Sequence, residues 1–456
     1  MAQIKYTTTY KLEDYVLNTK WEDLPAEVKS RAVDCGIDLM IALILGSKGE
    51  QFQCGKRLVK EWVKDGNLEI PGSKDRFSFM GAAFAMGHAS NSFDIDDGHN
   101  MIKGHPGTSF VAGILAAGLE KDITYREYLT TLVVAYDVAV RIGLCTQDFY
   151  NFLHSTGTYG AVGTAAGIGR IFGFTKEQMN TALSMAEFHA PLTPVMRSVQ
   201  YPSMNKDGVP FGAMIGTLAA LDTMAGESAK LHMLEFDDYS YLLDSLGKTY
   251  EIMNLYFKPY TCCRWGHQPI QASIEMMKEK GFTADDIKKV TVHTFDSATQ
   301  LSKIVPHETD EAQYNIAFPV ATAIVCGEVG FRQMNNKALN NPAVLEMMKK
   351  LEFVMDPEME AQFPEKRLAW VEFELNDGTI YKTKVYSANG EATDGIDHKW
   401  IVDKFNRILD PIMNERGRKA VLQVLTNDLD IKLRTVVADI NAALVQYNTG
   451  EFEALN

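Results

Sequence analysis

The sequence predicts a mainly α protein in which a large all-helical domain, residues 1–275 and 397–456, is interrupted by a smaller α+β domain at 276–396. Three observations predict it. Apolar residues recur at helical spacing through the first 275 positions, strand-like alternation replaces that period after about residue 280, and the helical period returns from about Asp397.

The elements follow in order. Pro25 suits a first helical turn, and Val28, Ala32, Leu39, Met40, Leu43 and Ile44 repeat behind it until Gly46 can stop the helix. Gly157 to Phe172 is almost wholly small or apolar, with Gly157, Gly160, Gly163, Gly167 and Gly169 spaced along it, and Gly212 to Ala220 is similar. So much glycine lowers helix propensity, so backbone-to-backbone packing between central helices must compensate. Asp286 to Phe295 alternates as a strand. Val371, Phe373 and Leu375 alternate with Glu372 and Glu374, and Asn376-Asp377-Gly378 turns that strand into a hairpin with Thr379 to Val385. Residues 312–326 and 341–351 read as helices between the strands. Ile401, Phe405 and Leu409, then Val421, Leu422 and Val424, then Ile440, Ala443 and Leu444 carry the returning helices.

Composition sets limits on function. The chain has 456 residues, 46% hydrophobic and 23% charged, and 45 Lys+Arg against 59 Asp+Glu give a net charge of −14. That content is too apolar for a disordered chain. No apolar run approaches the roughly 18–20 residues of a membrane span, and the acidic balance argues against a general nucleic-acid binder. Six dispersed cysteines suggest no disulfide framework, and the polar N-terminus lacks a secretory core, so a reducing cytoplasm is the expected location.

Three clusters carry chemistry. The first is Asn91-Ser-Phe-Asp94-Ile-Asp96-Asp97-Gly-His99, followed by Lys103-Gly-His105-Pro-Gly-Thr108. Pro106 and Gly107 would break the helix there and free His105 to point into a cleft. A capped helix end with a solvated acidic loop would use the same residues. A calcium loop fails on spacing, because glycine falls at position five from Asp94 and His105 at position twelve. A helical terpenoid synthase could use Asp96-Asp97 for metal, but its second motif would need a four-residue interval that Asn180, Ser184 and Glu187 miss at the last step. The second cluster, Phe149 to Gly160, sets His154 and Thr156 before the glycine-rich helix, where amides favour an anion. His154 also reads as a core or capping histidine. No dinucleotide fingerprint forms, since Gly167-Ile-Gly169 lacks a third glycine at Phe172. The third cluster joins Arg197 and Lys206 to Phe257-Lys258-Pro-Tyr260-Thr-Cys262-Cys263-Arg264-Trp-Gly-His267. Adjacent cysteines make a poor zinc chelate, and a cationic lining of Lys206, Lys258, Arg264 and His267 fits better, although any of these lysines can be an ordinary surface residue.

The order of these motifs resembles the MmgE/PrpD family, which includes 2-methylcitrate dehydratase, cis-aconitate decarboxylase and iminodisuccinate epimerase. The resemblance spans nearly the whole chain. It runs from Asp94-Ile-Asp96-Asp97 and His105-Pro106 through Tyr136-Asp137-Val138 with Arg141-Ile142, and on through His154-Ser-Thr156-Gly, Lys206, Lys258-Pro-Tyr, Cys263 and His267. Ala312 to Phe318 and Lys404-Phe405 complete it. It implies a helical domain with an α+β lid, a homodimer, and no metal or organic cofactor. It places the active site at Asp94, His105, His154, Lys206 and Lys258, with Asn91, Thr156, Arg264 and His267 beside the substrate. Asn91, Gly107, Thr261, Gln271 and Phe318 depart from common His, Ser, Pro, Asp and Tyr.

The implied substrate is a small di- or tricarboxylate with an acidic C–H beside a carboxylate. Lys206, Lys258 and Arg264 would neutralise its charge, His105 and His154 would move protons, and Asp94 would orient one of them. A methylcitrate-type hydro-lyase is the expectation by analogy. Epimerisation and decarboxylation need the same groups, and a non-catalytic carboxylate-binding protein is the alternative of another class.

Overall fold

The computed structural model describes residues 4–201 and 205–444. The chain after Pro25 forms one helix, Ala26–Gly46, whose second half is buried on every side. Against it pack Phe79–Ser90, Pro106–Lys121 and Tyr125–Tyr150, and with Gly157–Phe172, Lys176–His189 and Val209–Ala225 they contribute to one apolar core. Gly157–Phe172 sits at the centre, against Pro106–Lys121, Tyr125–Tyr150, Lys176–His189 and Val209–Ala225. Its glycines permit that closeness. A Cβ at Gly157 would lie 2.3 Å from the Gly208 carbonyl oxygen, and one at Gly216 would lie 2.3 Å from the Ala161 carbonyl oxygen. Backbone contact therefore replaces the propensity that glycine lacks, as the composition required.

Among the described residues two stretches are long and apolar enough by composition to cross a membrane, Tyr125–Tyr150 and Lys206–Ala225, which run length alone did not reveal. In Tyr125–Tyr150 the most apolar window is 94% buried inside the protein. Its all-round apolarity is that of a core helix. The other stretch leaves Phe211, Leu218 and Met224 exposed.

The final helices His398–Leu409, Glu415–Asn427 and Leu433–Ala443 return to this first core. A second core lies between a five-stranded sheet and the helices His267–Lys280 and Ala317–Cys326. Ile287–Thr294 pairs antiparallel with Leu368–Leu375 and parallel with Leu351–Met355; Ile380–Lys382 and Tyr386–Ser387 both pair with Leu368–Leu375. Val290, Val292, Val371 and Phe373 face inward, as their alternation requires.

Tyr260, Cys262, Ile270 and Met276 also lie in the second core. Three sequence expectations need correction. The expected helix 312–326 is split into Thr309–Gln313 and Ala317–Cys326. Asn315 makes the break, accepting from the Phe318 amide at 2.8 Å and donating to the Ile304 carbonyl at 2.7 Å. The end of 341–351 enters a strand, because Leu351–Met355 pairs with Ile287–Thr294. Pro106 starts a helix instead of breaking one: it is the first residue of Pro106–Lys121, where its missing N–H costs nothing.

Candidate active site

The Phe79–Ser90 helix ends at Asn91, and the chain then turns with Asp94 in the left-handed region at φ 50°. A non-glycine residue held there carries local strain, a frequent mark of functional backbone. Asn91 Nδ2 donates to Asp96 Oδ1 at 2.8 Å. Lys258 Nζ pairs with Asp94 Oδ1 at 2.7 Å, and both side chains are buried. Burial pushes the Asp94 carboxyl up, but Lys258, His105 and Lys206 outweigh it and hold it below the usual carboxylate range. The Lys258 ammonium is raised despite its burial, first by Asp94 and then by Asp96.

His105 immediately precedes the Pro106–Lys121 helix. Its Nδ1 lies 2.6 Å from the Asp97 carbonyl oxygen, and its backbone N–H donates to Thr156 Oγ1 at 3.2 Å. A carbonyl only accepts, so Nδ1 carries a hydrogen, and in the neutral ring the lone pair is on Nε2. That Nε2 is 3.9 Å from Asp94 Oδ1. Asp97 is a structural neighbour: Tyr136 donates its hydroxyl to Oδ2, Gly107 donates its amide to Oδ1 at 3.1 Å, and burial pushes the carboxyl up to about 7.

Opposite stands a second strained turn, with Lys206, Asp207 and Gly208 at φ 42°, 51° and 69°. Lys206 Nζ pairs with Asp310 Oδ1 at 2.8 Å and donates to Gln313 Oε1. Gln51 in turn donates to Asp310, and Ser92 donates to Gln51 Oε1 at 2.5 Å. Asp207 is buried, and its Oδ1 has no hydrogen-bond partner. Burial raises its carboxyl, against the opposing pull of His105, and Asp94 raises it further. Two buried carboxyls in one site are thus driven apart, Asp94 towards ionised and Asp207 towards protonated.

The remaining expected residues are placed as follows. Thr156 is in the cluster through His105. His154 is buried, but its ring stacks on Phe152 with centroids 4.1 Å apart, and no hydrogen bond or ion pair joins it to Asp94, His105, Lys206 or Lys258 among the described residues. Burial holds its imidazole below the ordinary value, against a smaller pull from the Thr146 backbone. Arg264 is occupied within the protein, by Glu391 at 2.6 Å and by the carbonyls of Asn389 and Ala388 at 2.7 and 3.0 Å. His267 Nε2 meets the Cys262 carbonyl at 2.9 Å, and burial followed by Arg264 pushes this ring far down. Of the expected cationic lining, Lys206, Lys258 and Arg264 are each ion-paired within the protein, because buried ammonium and guanidinium groups need partners, and His267 is not.

Arg197 makes no ion pair among the described residues and lines a cavity of about 520 Å³ with Ser155, Asn205 and Gly208. Those residues neighbour Thr156 and Asp207 in the chain. Sequence reasoning missed Asp207, Asp310, Gln313 and Tyr314, the last with its ring centroid 5.4 Å from Lys206 Nζ. Asp207 adjoins Lys206, and the other three lie in or beside the Ala312 to Phe318 motif. Gln51 carried no signal at all.

Asp94, Asp96 and His105 offer ligand atoms within 4.8 Å of one another, the geometry a metal ion would need. Lys258 already stands against that carboxylate, so a cation would have to compete with an ammonium. Glu13, His232 and Glu235 form a second such group, braced by Asn180, which donates to Glu13 at 2.8 Å and Glu235 at 3.0 Å.

Residues 10–251 match the MmgE/PrpD N-terminal domain and residues 260–428 match the MmgE/PrpD C-terminal domain. The chain belongs to the MmgE/PrpD family. Relatives in this family include 2-methylcitrate dehydratase of Escherichia coli, 23% identical over 451 residues, covering 90% of this chain and 92% of that protein. A cis-aconitate decarboxylase-like protein of Aspergillus oryzae is 22% identical over 394 residues, 77% of this chain and 80% of that protein. Human cis-aconitate decarboxylase is 20% identical over 428 residues, 87% of this chain and 86% of that protein. By name these relatives are dehydratases and decarboxylases, and an enzyme is what membership of this family supports for the present chain.

Proposed function

We propose that this MmgE/PrpD protein is a hydro-lyase acting on a small hydroxylated di- or tricarboxylate of the methylcitrate type, without a metal or organic cofactor. The observation that carries the reading is the His105 ring, whose Nδ1–H is spent on the Asp97 carbonyl and whose Nε2 is left as a base beside the Asp94–Lys258 pair.

His105 Nε2 takes the proton from the carbon beside a substrate carboxylate. The electron pair moves into that carboxylate, where Lys206 and Lys258 offset the developing charge. The pair then returns to form the carbon–carbon double bond as the C–O bond breaks, and Asp207, whose carboxyl burial raises, gives a proton in its acid form to the departing hydroxyl. Water leaves. Exchange with solvent returns a proton to Asp207 and removes one from His105. Arg197 holds the distal carboxylate in the cavity, and Thr156 fixes the His105 backbone.

Decarboxylation is the second reading, favoured by the names of the Aspergillus and human relatives. There Asp207 would protonate carbon after carbon dioxide departs. Epimerisation needs the same two groups on opposite faces. Proton NMR in deuterated water, with methylcitrate, citrate, the aconitates and iminodisuccinate, separates the three. The expected result is loss of water, with turnover lowered roughly 10²–10⁴-fold in His105→Gln. Absence of both exchange and turnover across the panel overturns the reading in favour of a carboxylate-binding protein.

The proposed assembly is a homodimer through the packed pair Lys176–His189 and Val209–Ala225, where Phe188 is 85% and Phe211 50% exposed. Light scattering on Phe211→Asp tests it, with monomer expected. A cytoplasmic location agrees with six free cysteines, three of them buried.

A further inference from the structure

Consecutive carbonyls of the Asp94 turn are held by ammonium groups from distant parts of the chain. Lys258 Nζ donates to the Asp94 carbonyl at 3.1 Å. Lys404 Nζ donates to the Ile95 carbonyl at 2.8 Å and pairs with Asp38 Oδ1 at 2.5 Å. Lys404 lies on the His398–Leu409 helix and Asp38 on the Ala26–Gly46 helix, and both are buried.

The Ile95 carbonyl belongs to the peptide between the two carboxylates that face His105, Asp94 at 3.9 Å and Asp96 at 3.5 Å. A change of backbone angles through residues 94–96 that released this carbonyl would redirect both side chains. Such a change needs an opposing hold, because Asp94 sits in a left-handed conformation that a non-glycine residue does not favour by itself. A buried carbonyl must also find a donor. Lys404 supplies that donor, and Asp38 anchors the ammonium, leaving its own Oδ2 without a partner.

We propose that Lys404 is a positioning residue for this active site: by holding the Ile95 carbonyl it sets the direction of the Asp94 and Asp96 carboxylates at His105. The inference rests on the reading of Asp94 and His105 as reacting groups. It assigns a catalytic consequence to the last part of the chain, which touches the site through this ammonium.

The test uses the full-length protein as Lys404→Met, Asp38→Asn and the double variant. Lys404→Met strands a buried carboxylate and is expected to lower Tm. The double variant removes that carboxylate and recovers Tm, but the Ile95 carbonyl is still unheld. Its kcat is therefore expected to stay at least tenfold down with KM within about twofold, because the loss is in alignment of the base and not in substrate binding. Hydrogen exchange read by mass spectrometry should rise in peptides spanning 91–108 and remain as in wild type elsewhere. Asp38→Asn, which retains Lys404, should keep wild-type exchange there. A double variant with wild-type kcat and wild-type exchange at 91–108 overturns the proposal. If the wild-type protein turns over none of the acids, the functional reading fails, and hydrogen exchange still decides whether Lys404 holds the turn.

Discussion

Gly157→Ala is the perturbation that couples packing most directly to the site. The new Cβ would lie 2.3 Å from the Gly208 carbonyl oxygen and 2.8 Å from its carbon, where ordinary contact begins at 3.4 Å. Both neighbours are backbone, so no rotamer change relieves the clash, and the two segments must part by about 1 Å. Overpacking of that kind costs about 1–3 kcal/mol. Gly157 is the first residue of its helix, where alanine returns little helix propensity, so the net destabilisation stays at about 1–3 kcal/mol. Activity should suffer more than stability. Gly157 follows Thr156, which fixes His105, and Gly208 follows Asp207, so the separation falls between the proposed base and the proposed acid. A misplacement of about 1 Å costs on the order of 10²-fold in rate. Urea unfolding and steady-state kinetics on the same preparation measure both effects. A variant as stable as wild type with unchanged kcat would refute the backbone contact and the placement of acid against base.

Other outcomes follow from single groups. Asp207→Asn should retain deuterium exchange beside the substrate carboxylate while losing water elimination roughly 10²–10⁴-fold, measured together in one NMR time course; equal loss of both would remove Asp207 as the acid. His88 is pushed by burial down to about 4, so it stays neutral in the fold while the unfolded chain binds a proton below about 6.5. Its contribution is therefore present above pH 6.5 and declines by up to about 3 kcal/mol as pH falls to 4, a slope that His88→Gln should flatten in denaturation curves taken across that range. Exhaustive chelation should leave kcat unchanged, since Lys258 supplies the positive charge at Asp94, and restoration of activity by added divalent metal would point instead to ligation by Asp94, Asp96 and His105.

Much of the fold was legible because periodicity and burial are local signals. The alternation of Val371, Phe373 and Leu375 named the inward face of a strand before any partner was known, and the glycines of 157–172 demanded a backbone neighbour. What failed was decided by contacts remote in sequence. Leu351–Met355 became a strand because Ile287–Thr294 offers it a ladder, and 312–326 broke because the Asn315 side chain outcompetes the helical bond at that point. In the candidate site, the sequence named Asp94, His105, Lys206 and Lys258 but not their pairings. Lys206 with Asp310 is a contact across 104 residues and Lys258 with Asp94 across 164, and no spacing rule reaches so far.

The sequence by itself therefore determined a mainly α chain with an α+β insertion, and a family whose motifs run its whole length. Those properties follow from side-chain chemistry repeated at a fixed local period. Only the tertiary structure decided which charges are spent within the protein. It gave Arg264 to Glu391, left Arg197 facing a cavity, turned the His154 ring onto Phe152 and set the Nδ1 of His105 against the Asp97 carbonyl. The physical reason is burial: a charge removed from water takes the nearest partner the fold provides, and that partner is set by packing between segments far apart in the chain.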